Sequence, residues 1–154
     1  MKKIFSIVGI MIVIIFITSG CVSQGSVTVS DFDQKLKAIG DISNLKKEDA
    51  KGLEKLYGIN KTELEDFVLY TSKSKDNAEE ILVLKVKYLS SIGDLRYRIQ
   101  KRLNVQTDKF KEGSPEEYKL IKNDLLEDRQ NFIVFVISKN KAAIEKQFHK
   151  MVQN

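Results

Sequence analysis

One long apolar run between Lys3 and Cys21 sets how much of the chain is left to fold as a domain and where it is delivered. Lys2 and Lys3 open the segment, Ile4 to Ile17 is interrupted only by Ser6 and Gly9, and Thr18-Ser19-Gly20 leads into Cys21. A charged start, an apolar centre and small residues before a cut site mark a secretory signal peptide over residues 1–20. The run is short for a spanning helix, which needs roughly 20 apolar residues. Of the 154 residues, 134 then remain, enough for one domain with a real core. Cys21 is the single cysteine of the chain. The body therefore folds without disulfides, thiolate metal sites or a cysteine nucleophile, and packing alone must hold it.

The words Ile17-Thr18-Ser19-Gly20-Cys21 resemble the lipobox of bacterial lipoproteins. Thr18 departs from it, standing where that family prefers a bulky aliphatic residue. The resemblance implies a diacylglyceryl group on the Cys21 sulfur, cleavage just before it, and anchorage at the outer face of the cytoplasmic membrane. Two acyl chains hold firmly where one is marginal, each buried CH₂ adding about 0.8 kcal/mol.

Net charge adds little about partners. The formal value of +5 falls to +3 once Lys2 and Lys3 leave with the signal. With 31% charged residues and one proline, the body has the composition of a helix-rich globule. Residues 21–29, Cys21 followed by small uncharged side chains, have the composition of a flexible tether. The domain is expected over residues 30–154.

Within it, Ser30 is the expected N-cap of a first helix, with Asp33 three places on and Phe32, Leu36 and Ile39 on one face. A second helix is expected over Lys47 to Tyr57, stopped by Gly58 in the left-handed conformation. Phe67–Thr71 and Ile81–Val86 form an expected hairpin, the second strand apolar enough to be central or covered on both faces. Ile92, Leu95, Ile99, Leu103 and Phe110 repeat at helical steps, with Gln106 filling the remaining slot. Ser114, Pro115 and Glu117 mark a further helix start with a capping box, and Tyr118, Ile121 and Leu125 give that helix its inner face. Phe132–Ile137 is a strand fit for the centre of a sheet. Lys141–Val152 closes as a helix with Ile144, Phe148 and Met151 inward. The order ααββααβα, without regular alternation, predicts an α+β fold with a small, three-stranded, largely antiparallel sheet covered by helices.

Several short words stand out along the body: Leu56-Tyr57-Gly58-Ile59, Leu64 to Tyr70, Asn77 to Ile81, Arg102-Leu103, Gln106, Phe110, Pro115 to Tyr118, Phe132 to Ser138 and Ile144 to Phe148. In this order they resemble a family of Gram-positive lipoproteins known only as a domain of unknown function, number 4358. The chain departs from that pattern at Gly113-Ser114 and at Asp128-Arg129-Gln130. The resemblance implies an extracytoplasmic lipoprotein and carries no activity or catalytic residues.

Chemistry is sparse in the sequence. There is no phosphate-binding glycine loop, no HExxH and no EF-hand pattern. His149 is the only histidine, which excludes a multi-histidine metal site, and it is expected at the surface or boundary. Glu63, Glu65, Asp66, Asp76, Glu79 and Glu80 fit a solvated turn and strand edge, with weak cation binding as the alternative. Arg96, Arg98, Lys101 and Arg102 form either the exposed side of an amphipathic helix or an anion-binding patch, since guanidinium forks suit phosphate. No catalytic residue, metal or cofactor is expected. The expected partners are the membrane through Cys21, then anionic lipid headgroups, wall polymers or another envelope protein. Nucleic acid is not expected, because of the compartment and because the five tyrosines fall mainly at core or boundary positions. The function expected is a non-catalytic binding module. The alternatives are a small envelope hydrolase using acidic residues and an accessory ligand-capturing lipoprotein.

Overall fold

The computed structural model describes residues 27–153, so Cys21 and the segment expected to be a signal peptide lie outside the described residues. The elements run α1 (Val29–Ile39), β1 (Leu45–Lys47), α2 (Ala50–Tyr57), β2 (Leu64–Ser72), β3 (Glu80–Val86), α3 (Ile92–Phe110), α4 (Pro115–Lys122), β4 (Leu125–Arg129), β5 (Phe132–Ile137) and α5 (Lys141–Val152). The fold is α+β with a five-stranded sheet, ordered β1-β2-β3-β5-β4 and antiparallel at every junction.

The expected three strands are thus corrected to five, and the order to αβαββααββα. Both missed strands are edges. β1 is three residues long and only Leu45 is buried. β4 reads Leu-Leu-Glu-Asp-Arg, with no position fully buried. Short, charged edge strands lack the apolar alternation that betrays inner ones. Leu125, expected on a helix, belongs to β4, where it pairs with Val136. β5 is interior as expected, but the central strand is β3.

The sheet is covered on both faces. Ile81, Val83, Val134 and Val136 pack with Phe32 and Leu36 of α1 and Ile144 and Phe148 of α5. Phe32 and Phe148 meet edge to face, with centroids 6.4 Å apart. Leu82, Leu84, Ile133 and Phe135 face the other way, toward Leu53 of α2, Leu95, Ile99, Leu103 and Phe110 of α3, and Ile121 of α4. Burying each such aliphatic side chain contributes about 1.5–3 kcal/mol. The near-continuous apolar runs of β3 and β5 follow from this double cover.

Helix starts differ from expectation in two places. α1 begins at Val29 with Thr28 as N-cap, in a reciprocal capping box with Asp31. Ser30 is not the cap because its would-be partner Asp33 is engaged elsewhere, accepting from Tyr70 Oη at 2.7 Å and Lys47 Nζ at 2.8 Å. α2 begins at Ala50 with Asp49 as N-cap, the preceding lysines being in β1. Gly58 ends it at φ 66°, the left-handed position expected. Among the described residues no helix is long and apolar enough to cross a membrane.

Candidate functional site

Every fourth residue along α3 from Arg98 looks toward α2 and the hairpin: Arg98, Arg102 and Gln106. Opposite them stands Glu80, the first residue of β3, paired with Thr71 on one side and Ile137 on the other. Strand alternation places Glu80 on the same face as Leu82 and Leu84, under α2 and α3. It is 0% exposed. The expectation of a solvated hairpin carboxylate is therefore corrected for this residue.

A buried carboxylate needs partners, and Glu80 has them. Arg102 donates from Nε at 3.0 Å to one oxygen and from Nη2 at 2.6 Å to the other. Gln106 Nε2 donates at 3.0 Å, and Tyr57 Oη donates to the oxygen shared with Arg102 Nε. These four donors match the roughly four lone-pair sites of a carboxylate. Burial, reinforced by the Glu80 charge, pushes the Tyr57 phenol well above its usual range and keeps it a donor. Burial opposes the Arg102 charge, but the hydrogen bonds and field of Glu80 outweigh it and hold the guanidinium protonated. A carboxylate whose lone pairs are taken acts as a lock, not as a base.

The lock floors a cleft. On one side of Arg102 a hollow of about 470 Å³ opens beside Leu56, Gly58, Tyr97 and Lys101. On the other, a hollow of about 330 Å³ lies between the β2–β3 turn and α3, reaching Lys73, Lys75 and Lys109. The two share Leu56, Arg102 and Val105, so they form one trough along α3. Tyr97 and Val105 stand exposed on its rim at 63% and 58%. Tyr88 is also exposed, at 70%, so two of the five tyrosines, Tyr88 and Tyr97, stand outside the core and boundary positions expected for most of them.

The four cations read from the sequence do not stay together. Arg96 turns away to pair with Asp128 of β4. Arg98 is held by Asp94 at 2.6 Å and Glu63 at 3.1 Å, and it caps α2 through the Gly58 carbonyl at 2.8 Å. Arg102 belongs to Glu80. Lys101 alone has no carboxylate within 4.0 Å among the described residues, and its Nζ lies 5.7 Å from the centre of the Tyr97 ring. The trough's other unpaired cations are Lys109, near the end of α3, and Lys73 and Lys75 of the β2–β3 turn. Lys73 and Lys109 donate only to the backbone carbonyls of Ser43 and Lys75, at 2.6 and 2.5 Å, and Lys75 is likewise without a carboxylate partner. Seven cationic side chains line the trough against four carboxylates.

Sequence reasoning missed Glu80 and Tyr57 and read Gln106 as a mere gap. The signal was there: a glutamine inside an otherwise apolar helical stripe, four places from an arginine, demands a buried polar partner. Glu117 also differs from expectation. Its carboxylate accepts from the Ala78 backbone at 2.7 Å and ties α4 to the hairpin instead of closing a capping box on Ser114. His149 is half-buried on α5, with Nε2 2.7 Å from Glu127.

The family model described as domain of unknown function (DUF4358) matches residues 38–138. That span contains Glu80, Arg102 and the whole trough and ends before α5. No curated protein and no solved structure matches the chain. With two-thirds of its length covered by the match, this chain belongs to the DUF4358 family.

Proposed function

We propose that the protein is a non-catalytic binding module at the outer face of the cytoplasmic membrane, fastened through a diacylglyceryl group on Cys21. Its ligand is an anionic, phosphate-bearing component of the envelope, a wall polymer or a lipid headgroup, lodged in the trough along α3. The observation that carries this reading is the division of charge in the trough. The arginines are committed to carboxylates, while Lys73, Lys75, Lys101 and Lys109 face the hollow without one. Lysine ammoniums on flexible stems suit repeated phosphates whose spacing is not fixed. Tyr97, Leu56 and Val105 give the same trough an apolar wall for a glycerol or sugar backbone.

Placement supports the reading. Seven residue steps from Cys21 to Thr28 span at most about 25 Å, so α1 starts close to the bilayer. Two measurements test it. In cells, Cys21→Ala abolishes palmitate labelling and membrane retention; unchanged labelling removes the anchor. In solution, residues 22–154 are titrated with a soluble glycerol-phosphate polymer and, separately, with anionic vesicles. Saturable binding to one arm names the source of the phosphate, and binding to neither refutes the ligand class.

A further inference from the structure

We infer that Glu127, Glu145 and His149 form a site for a divalent transition-metal ion, zinc by preference, that pins α5 to the edge strand β4. One ligand atom from each of the three lies within 4.8 Å of the others. Two elements bring them together. Glu145 and His149 are four apart on α5 and so share a face, and Glu127 sits in the middle of β4. Bonds of 2.0–2.2 Å to a tetrahedral ion place donor atoms about 3.4 Å apart, so small side-chain adjustments close the site. One imidazole and two carboxylates suit a borderline cation, and the usual affinity order favours zinc over manganese or iron.

The surroundings of each ligand fit that role. His149 Nε2 already lies 2.7 Å from Glu127 Oε2. Arg129 Nε holds the other Glu127 oxygen at 2.5 Å, which orients the carboxylate as an outer partner orients a ligand. Glu145 is the telling residue. Its carboxylate comes within 4.8 Å of a second carboxylate, yet among the described residues it has no hydrogen bond or ion pair. An ion between the two carboxylates supplies the missing counter-charge. A depression of about 360 Å³ beside Glu145 and His149 opens the site to solvent, with Lys146 and Lys150 at its margin. Three protein ligands leave one coordination position for water or for a partner's side chain. Glu145 and His149 lie outside the matched family span, Glu127 lies within it, and none of the three lines the trough on α3.

The test uses the full-length chain carrying Cys21→Ser, which removes the competing thiol, after washing with chelator. Zinc titrated by calorimetry binds one ion per chain. Cobalt gives the visible absorption of a four-coordinate centre, and zinc raises the thermal midpoint. Glu145→Gln weakens zinc about tenfold or more and abolishes the zinc-dependent rise in midpoint. It does not lower the chelated protein's midpoint, because Glu145 has no hydrogen bond or ion pair to lose in the metal-free fold and stands near a second carboxylate. His149→Ala has the same effect on affinity. No saturable uptake up to about 1 mM zinc, or equal affinity in parent and Glu145→Gln, overturns the site.

Discussion

Arg102 grips Glu80 with both faces of its guanidinium fork, Nε on one carboxylate oxygen and Nη2 on the other, across the seam between α3 and the central strand. Breaking a buried pair leaves a charge without compensation, so Glu80→Ala costs about 3–5 kcal/mol in urea unfolding. The combined change Glu80→Leu/Arg102→Met/Gln106→Leu/Tyr57→Phe recovers most of that loss, since no polar group is then stranded. A quadruple variant as unstable as Glu80→Ala contradicts the reading of these four residues as one satisfied network.

The start of α1 separates two candidate caps. Thr28→Ala removes a side chain that accepts from Asp31 N at 3.1 Å and lowers stability by about 0.5–2 kcal/mol. Ser30→Ala, on the exposed face of the first turn, stays within about 0.5 kcal/mol. Chemical denaturation of the two variants side by side checks the assignment; the reverse ranking contradicts it.

Among the described residues Gly58 is the one glycine at a left-handed position, and a Cβ there meets nothing within 4 Å. The whole cost of Gly58→Ala is therefore conformational, about 1 kcal/mol, and shows as a lower thermal midpoint with no change in fold.

Acid and alkali act on opposite sets of groups. Burial tends to raise the carboxyl of Asp33, but hydrogen bonds from Lys47, Tyr70 and Lys37 win and hold it below its usual range. Burial of Glu48 is likewise outweighed by Lys46 and Thr71. The stability these two contribute is present above their unfolded values, near 4, and is lost as pH falls through the lower folded values. Asp124, raised by burial, works in the other direction. At the alkaline end, burial raises Tyr57 and Tyr70, with Glu80 and Asp33 adding to the shift. Their contribution is intact below the unfolded phenol value, near 10, and drains away as pH rises past it. Urea midpoints against pH should fall below about pH 4 and above about pH 10, and Asp33→Asn should flatten the acid limb. An acid limb unchanged in Asp33→Asn contradicts the assignment.

Much of the fold is legible in the residues. The stripe from Leu95 to Phe110, the apolar runs of β3 and β5, Gly58 and Pro115 each carry a local signature that tertiary packing reinforces. Inserting the two edge strands into the expected order turns it into the observed one. Those strands escape notice because hydrogen bonding to one neighbour, not an apolar pattern, defines Leu45–Lys47 and Leu125–Arg129. Thr28 and Ser30 both precede an aspartate by three places, and only the distant hydroxyl of Tyr70 decides between them by engaging Asp33. The candidate site was less legible. Four cations on one helix look like a patch, but the three arginines are paired, and apart from Asp94 on α3 itself their carboxylate partners Asp128, Glu63 and Glu80 come from three other segments. Of the lysines left without carboxylate partners, Lys101 and Lys109 lie on α3, but Lys73 and Lys75 come from the β2–β3 turn, which no periodicity connects to that helix.

The most direct measurement is the affinity of residues 22–154 for a soluble phosphate polymer at two salt concentrations, before and after Lys73→Gln/Lys75→Gln/Lys101→Gln/Lys109→Gln. These side chains are solvent-facing, so the variant keeps its fold. The trough reading predicts binding that weakens from about 0.05 to 0.15 M salt and a loss of about tenfold or more on removing the four charges. Equal affinity in parent and variant, or binding indifferent to salt, would contradict it.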